Sequence, residues 1–362
     1  MSDTGRPRSG VIGVGMVGTV HARAVHWAGG ELTAVAASNP GRTGAACERL
    51  NAKRPATAEE IVYADDVDVV HVCTPNHLHH DVVLAALAAG KHVICEKPLA
   101  TTLADAHELA QAAAQTDRVT AVPFVYRSYA SVREARDRIG EISPWLIHGG
   151  YLQDFKALAQ PGGWRSDPAR AGVSLTFGDI GSHWCDLMEF VTGQRITALS
   201  AVQASTDAVN RQDGVMVLFR TDHNAVGSLI VSQSSPGRKN KLYFSFDGRV
   251  NSVMFDQEHP DELVIGGLRA NTVVIRDAAA LSPAAARYSV LPGGHPQGYQ
   301  DCFNLFVADV YRAVRTGQVP DGLPTFVDGL RAARIDAAVA ESIASGDWVP
   351  VAPAGSARNG AG

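Results

Sequence analysis

Residues 10–18 read Gly10-Val11-Ile12-Gly13-Val14-Gly15-Met16-Val17-Gly18. The apolar start is a strand, the glycines form a tight turn, and Met16 to Trp27 reads as a helix stopped by Gly29-Gly30. A G-x-G-x-x-G spacing says little alone, because glycine fills 35 of the 362 positions. Between a strand and a helix it has a mechanism. Gly13 permits the turn, Gly15 lets the backbone approach a pyrophosphate, and Gly18 lets the helix pack close to the sheet. The helix start adds unpaired N–H groups and the positive end of its dipole. The stretch predicts the first βαβ unit of a dinucleotide-binding sheet.

The same alternation continues. Leu32 to Ala37 and Val67 to Cys73 read as strands, Leu78 to Ala89 as a helix stopped by Gly90, and His92 to Cys95 as a strand. Leu103 to Gln115 is a helix with Thr102 and Asp105 placed to cap it, and Val119 to Val122 ends the series. Apolar strands bounded by helices imply a parallel sheet covered on both faces. The second strand runs into Ala37-Ser38-Asn39-Pro40-Gly41-Arg42, without the acid that commonly holds the ribose 2′-hydroxyl. Ser38 or Asn39 can bond the hydroxyl of NAD, and Ser38 with Arg42 can receive the 2′-phosphate of NADP. Both dinucleotides stay open, with a lean to NAD. The third strand ends in Thr74-Pro75-Asn76-His77-Leu78-His79-His80. No Cys or carboxylate completes a metal-ligand spacing there, so no metal is expected. Thr74 to Asn76 fall at the carboxyl edge of the sheet, where such folds bind ligands.

Composition excludes several classes. Hydrophobic residues make up 46%, charged residues 19%, and the formal net charge is −5, which gives no reason to expect nucleic acid or an anionic membrane as partner. The five cysteines form no CxxC pair and fit buried hydrophobes in a reducing compartment. No signal core or membrane-spanning run is present, so a cytoplasmic protein is expected. Tails at 1–8 and 352–362 read as disordered.

Two further stretches carry chemistry. Glu96-Lys97-Pro98 follows the strand His92 to Cys95 directly, on the ligand-binding edge. Pro98 biases Lys97 toward an extended backbone, and a partly desolvated lysine can hold a substrate hydroxyl or relay its proton. Farther on, Phe177 to Gly193 reads as one helix, with Ile180, Trp184, Leu187, Met188 and Val191 as its apolar stripe. Asp179, His183 and Asp186 fall on another face at spacings of four and three. Histidine suits proton transfer near neutrality, and Asp179 is placed to orient it.

Taken together, GVGMVG, VCTPNHLHHD, CEKPLA and GDIGSHWCD resemble the Gfo/Idh/MocA oxidoreductases, over roughly Val11 to Val351. YLQDF, GGWR, GYQDCF and PTFVDGLRAARIDAAVAES look most like the branch that includes levoglucosan dehydrogenase. The resemblance implies an N-terminal Rossmann domain (9–125) and a C-terminal α/β substrate-binding domain (126–351) on a large, mostly antiparallel open sheet. The strand-like runs Leu146–Leu152, Ala198–Ala204, Val215–Arg220, Ala225–Ser232, Leu242–Phe246 and Val253–Phe255 agree with that. It implies a homodimer or homotetramer through that sheet. It makes Lys97, Asp179 and His183 the catalytic set. Gly13, Gly15, Gly18, Thr74, Pro75, Asn76, Glu96 and Lys97 match cofactor positions, with Met16, Val17 and His79 beside them. Trp164 and Arg165 look like the loop on the nicotinamide side, and Arg127 and Gln153 like substrate contacts. The chain departs from the family where Val125 precedes Tyr126-Arg127, and in the bulkier approach Gly172 to Gly178.

The expected function is hydride transfer between a secondary hydroxyl, or a keto group, of a sugar, glycoside or cyclitol and NAD or NADP. Two other readings share the fold: a glycoside hydrolase or lyase that recycles NAD through a 3-keto sugar, and a cofactor-sensing regulator without catalysis.

Overall fold

The computed structural model describes residues 5–157, 167–172, 174–206 and 212–353. The chain divides into two compact units. The first holds residues up to Val125, with 169–172 and 299–330, and the second holds the remainder.

The first unit is built on a six-stranded parallel sheet in the order β3-β2-β1-β4-β5-β6. Its elements are β1 (Arg8–Ile12), α1 (Met16–Trp27), β2 (Glu31–Ala36), α2 (Pro40–Leu50), β3 (Arg54–Pro55), α3 (Ala58–Tyr63), β4 (Val69–Val72), α4 (His79–Ala88), β5 (His92–Cys95), α5 (Leu103–Ala114) and β6 (Thr120–Ala121). The strands are apolar on both faces, as a sheet covered by helices requires. Three helix starts have a local cause: Asn39 Oδ1 accepts from Arg42 N at α2, Thr57 and Glu60 form a capping box at α3, and Thr102 Oγ1 accepts from Asp105 N at α5. Arg8, which sequence puts in a tail, opens β1, because its main-chain N–H and its guanidinium both bond Asp68. Sequence also puts 299–330 with the second domain. Instead Tyr311 packs in the core of the first unit, with its hydroxyl 2.5 Å from Ser9 Oγ. Gly30 leaves the space for its ring, since a Cβ there would lie 2.5 Å from it.

The second unit carries a nine-stranded sheet ordered β14-β13-β12-β11-β7-β10-β9-β8-β15. Its helix α6 (Ala130–Ile142) leads to β7 (Leu146–Leu152); the short α7 (Pro168–Ala171), which from Ala169 on is counted with the first unit, and α8 (Ser182–Thr192) of the second unit precede β8 (Ile196–Ala204). Then come β9 (Gly214–Thr221), β10 (Val226–Ser232), β11 (Lys241–Asp247), β12 (Asn251–Asp256), β13 (Glu262–Gly267) and β14 (Thr272–Ile275). The short α9 (Pro283–Ala286) follows, then α10 (Tyr299–Thr316) of the first unit, α11 (Phe326–Ser345), counted with the second unit from Arg331 on, and β15 (Val349–Pro350). All pairs are antiparallel except β7 with β10. Strand β9 alternates strictly: Val215, Val217 and Phe219 are buried, Met216 and Leu218 exposed. Trp184 of α8 covers the buried face, in edge contact with Phe219 and donating its indole N–H to Tyr243 O. Gly149 in β7 makes room for it, because a Cβ there would lie 2.6 Å from Trp184 Nε1. Beyond β15 the chain stays engaged, with Val351 buried and the Ala352 carbonyl accepting from Arg331.

Candidate active site

Parallel-sheet hydrogen bonds align the cofactor-type residues of the first unit on one edge. Gly13 N donates to Ala36 O, Cys73 N to Ile12 O, and Glu96 N to Val72 O. Thus the ends of β1, β4 and β5 stand side by side. Gly13 has φ +96°, and a Cβ on it would lie 2.2 Å from Cys73 O. A Cβ on Gly18 would lie 1.8 Å from Gly13 O, so α1 seats directly on the turn. At Gly15 a Cβ would meet nothing within 4 Å. That open cradle lies against the N-terminus of α1, which has no side-chain cap. Thr74 Oγ1, at the same edge, is buried without a hydrogen-bond partner. Open space at Gly15, an uncapped helix start and an orphaned hydroxyl fit the pyrophosphate and nicotinamide ends of a dinucleotide. At the end of β2, Arg42 Nη1 donates to Ser38 Oγ at 3.3 Å, and both are exposed near the Asn39 cap.

The Glu96-Lys97-Pro98 turn is held from several sides. Lys97 N donates to Glu96 Oε2 at 3.1 Å, and Glu96 Oε1 lies 3.0 Å from His21 Nε2. Lys97 itself is half-buried. His79 is fully buried, with Nδ1 2.9 Å from Pro98 O and Nε2 3.0 Å from Thr74 O. Its ring nitrogens are engaged with main-chain carbonyls, which makes it a brace of the turn rather than a contact for a ligand. Burial lowers its pKa, against the opposing pull of those carbonyls and of Glu96. Asn76 donates its side-chain N–H to Ala171 O. Burial pushes the Cys73 and Cys95 thiols well up, so neither is a nucleophile.

The second unit gathers the other residues. Phe177 to Gly181 is a π-helical turn that leads into α8, so the α-helical spacing inferred for Asp179 and His183 does not hold as drawn. Such turns recur at functional sites because the widened backbone re-aims a side chain. Gln233 Nε2 donates to Asp179 Oδ2 at 2.6 Å, and Gln233 is fully buried. His183 is buried with the Tyr126 ring edge-on at 5.0 Å and Tyr151 at 6.4 Å. The two tyrosine hydroxyls bond each other; Tyr151 also donates to Asn240 Oδ1, which accepts from Gln153 Nε2 as well, both at 2.7 Å. Gln153 Oε1 is buried without a partner. The sequence reading offers Asp186 and Arg127 to a cleft and a substrate. The structure pairs them instead, as a two-point buried ion pair, with the guanidinium over Phe190. One turn before the π segment, Ser174 Oγ donates to the Asp336 carboxyl, which desolvation pushes up to about 8.

Sequence reasoning missed His21, Gln233, Tyr126, Tyr151 and Asn240. Each acts through a contact distant in sequence, and although Tyr151 opens the YLQDF stretch and Tyr126 precedes Arg127, neither stretch shows that contact. Trp164 and Arg165 lie outside the described residues. Among the described residues no group of three or more His, Cys, Asp or Glu is placed to hold a metal, and no helix is long and apolar enough to cross a membrane.

Comparison with known proteins bears on the fold and the family. Residues 8–124 match the profile of an oxidoreductase family with an NAD-binding Rossmann fold, Gfo/Idh/MocA, and residues 130–253 match that family's C-terminal domain. The chain is 30% identical to levoglucosan dehydrogenase of Pseudarthrobacter phenanthrenivorans, covering 94% of this chain and 97% of that one. Inositol 2-dehydrogenase 3 of Saccharopolyspora erythraea is 26% identical over 95% of each. Among solved structures, a levoglucosan dehydrogenase complex with NADH and levoglucosan superposes with TM-score 0.89 at 29% identity, over 96% of this chain and 99% of that chain. An inositol dehydrogenase homologue of Azotobacter vinelandii complexed with NAD+ gives 0.88 at 25% identity, over 95% and 97%.

Proposed function

The chain belongs to the Gfo/Idh/MocA oxidoreductase family, and from that membership we propose a dehydrogenase acting on a secondary hydroxyl of a sugar, glycoside or cyclitol. When bound, the nicotinamide supplies the hydride acceptor. His183 takes the hydroxyl proton, and the Lys97 ammonium stabilises the negative charge that develops on that oxygen. Asp179 orients the acid–base pair and a neighbouring hydroxyl, and Gln233 fixes Asp179. Gln153 supplies an acceptor for a further hydroxyl, since its Oε1 is buried and unpartnered. Arg127 acts at one remove, by holding Asp186 on α8. The observation that carries the reading is the Asp179–Gln233 contact beside a buried His183, a geometry for aimed proton transfer rather than for a solvated helix face.

The pyrophosphate is assigned to Gly13, Gly15, Met16, Val17 and Gly18. Thr74, Pro75, Asn76 and Glu96 are assigned to the nicotinamide half. NAD is favoured over NADP, because the solved relatives hold NADH or NAD+ and the Asn39 amide N–H can serve a 2′-hydroxyl. In the second unit, Val202, Met216 and Ile230 stand in register on adjacent strands and are exposed. That apolar face is assigned to pairing with a second copy; light scattering that reports a monomer at micromolar concentration removes the assignment.

The test is turnover of levoglucosan, myo-inositol and a panel of pyranoses in Lys97→Ala and His183→Ala. Each variant should lose about a hundredfold or more in kcat while its NAD affinity stays measurable. Turnover unchanged in either variant defeats the assignment of that residue.

A further inference from the structure

We propose that His21 is a positioning residue for the Glu96-Lys97 turn, and that His71 fixes the tautomer in which it works. The inference rests on the reading of Lys97 given above. Both imidazoles are fully buried, His21 on α1 and His71 in the middle of β4. Their Nδ1 atoms are 3.0 Å apart, so one nitrogen carries a proton and the other does not. His21 Nε2 lies 3.0 Å from Glu96 Oε1, and a carboxylate oxygen only accepts, so the His21 proton is on Nε2. His71 Nε2 is buried without a partner, so the single proton of that ring sits on Nδ1 rather than as an orphaned N–H. His21 Nδ1 is therefore the acceptor, and His71 Nδ1 holds the donated proton.

In this arrangement His71 Nε2 is a bare lone pair, which costs less in a core than an orphaned N–H. Burial pushes the His71 pKa well below the usual histidine range, which keeps that ring neutral. The rings cannot turn freely: Phe303 of α10 packs edge-on to His21 at 5.0 Å, and Tyr311 on His71 at 6.4 Å. The donors thus run in one direction, from His71 to His21 to Glu96, whose other oxygen receives the Lys97 N–H. His79 secures the opposite end of the turn through Pro98 O. A lysine that must meet a substrate oxygen within a few tenths of an ångström needs a backbone held this way.

Two measurements test the proposal. In the wild-type protein, histidine 15N resonances at neutral pH should show His21 protonated at Nε2 and His71 at Nδ1. The opposite tautomer on either ring overturns the proposal whatever the enzyme's activity. In the second, His21→Gln places an amide nitrogen near the position of Nε2 and should keep kcat within about threefold. His21→Asn reaches only the position of Nδ1 and should lose about ten- to a hundredfold in kcat, with the cofactor Kd and sugar KM within about threefold. Wild-type kcat in both variants overturns the proposal. Lys97→Ala is assayed alongside. If it is inactive while His21→Asn is not, only the positioning role fails; if it is fully active, the reading of Lys97 fails.

Discussion

Replacing Gly15 by alanine separates binding from folding. The added Cβ would meet no protein atom within 4 Å, and the backbone at Gly15 has φ −68°, which alanine adopts without strain. Alanine also lowers the entropy of the unfolded chain, a gain of about 0.4–1 kcal/mol. Its poorer capping of α1 offsets a few tenths of that. The folded state should therefore shift by less than about 1 kcal/mol, a few degrees in Tm. The methyl group nevertheless occupies the cradle assigned to the pyrophosphate. Displacing a phosphate by about 1 Å breaks one or two charge-assisted hydrogen bonds from the α1 N-terminus, each about 1.5–3 kcal/mol. The expected loss is about 2–5 kcal/mol, or thirtyfold to several thousandfold in dinucleotide affinity. Titration of NADH by fluorescence, with thermal unfolding of the same sample, reads both quantities. An affinity within threefold of wild type in a folded protein refutes the placement. Gly18→Ala is the contrasting case: its Cβ would lie 1.8 Å from Gly13 O, so it should lower Tm as well as affinity.

Gln233→Leu removes the N–H that Gln233 donates to the half-buried Asp179 carboxylate. It should cut kcat by about tenfold or more with little change in cofactor affinity, checked by steady-state kinetics and NADH titration. Asp336 titrates near 8 in the folded protein but near 4 in the unfolded chain, so the folded state binds the extra proton between those values. Its contribution to stability is complete below about pH 4 and is lost as pH rises through 8. Thermal unfolding of Asp336→Asn should accordingly fall less steeply than wild type between pH 6 and 9. Asp68 runs the other way. Burial raises its carboxyl, but hydrogen bonds and charge from Arg8 outweigh that and bring it to about 2. Asp68→Asn should lose about 1 kcal/mol at neutral pH after allowance for solvent screening, and a smaller deficit as pH falls from 4 to 2, measured by urea unfolding.

The parallel sheet was legible because its strands are unbroken apolar runs that end in glycine or proline, as Val11-Ile12-Gly13 and Ile94-Cys95 before Pro98 show. The stretch from Asn39 to Tyr63 was not. Helix α2 carries glycines at 41 and 44, β3 is two residues long, and neither gives a period to read. Asp179 and His183 were singled out from a four-residue helical spacing, but the backbone at Asp179 is a π turn, so the spacing did not carry their geometry. Gln233 lies 54 residues from Asp179 and His21 lies 75 from Glu96. Contacts of that range come from sheet register and from the seating of His21 of α1 against His71 and Glu96, which no local pattern encodes. Asp186 shows the converse error. A polar residue at a helical spacing looked presented to a cleft, but Arg127, distant in sequence, holds it inside the core.

The central claim is hydride transfer from a sugar-like secondary alcohol. The most direct measurement is the absorbance of reduced nicotinamide when the purified protein, with NAD and then NADP, meets levoglucosan, myo-inositol and a set of pyranoses and glycosides. The account predicts an increase with at least one of them, greater with NAD, and none in Lys97→Ala. A protein that binds NAD yet reduces it with no member of the set, and oxidises NADH with none of the corresponding keto compounds, contradicts it.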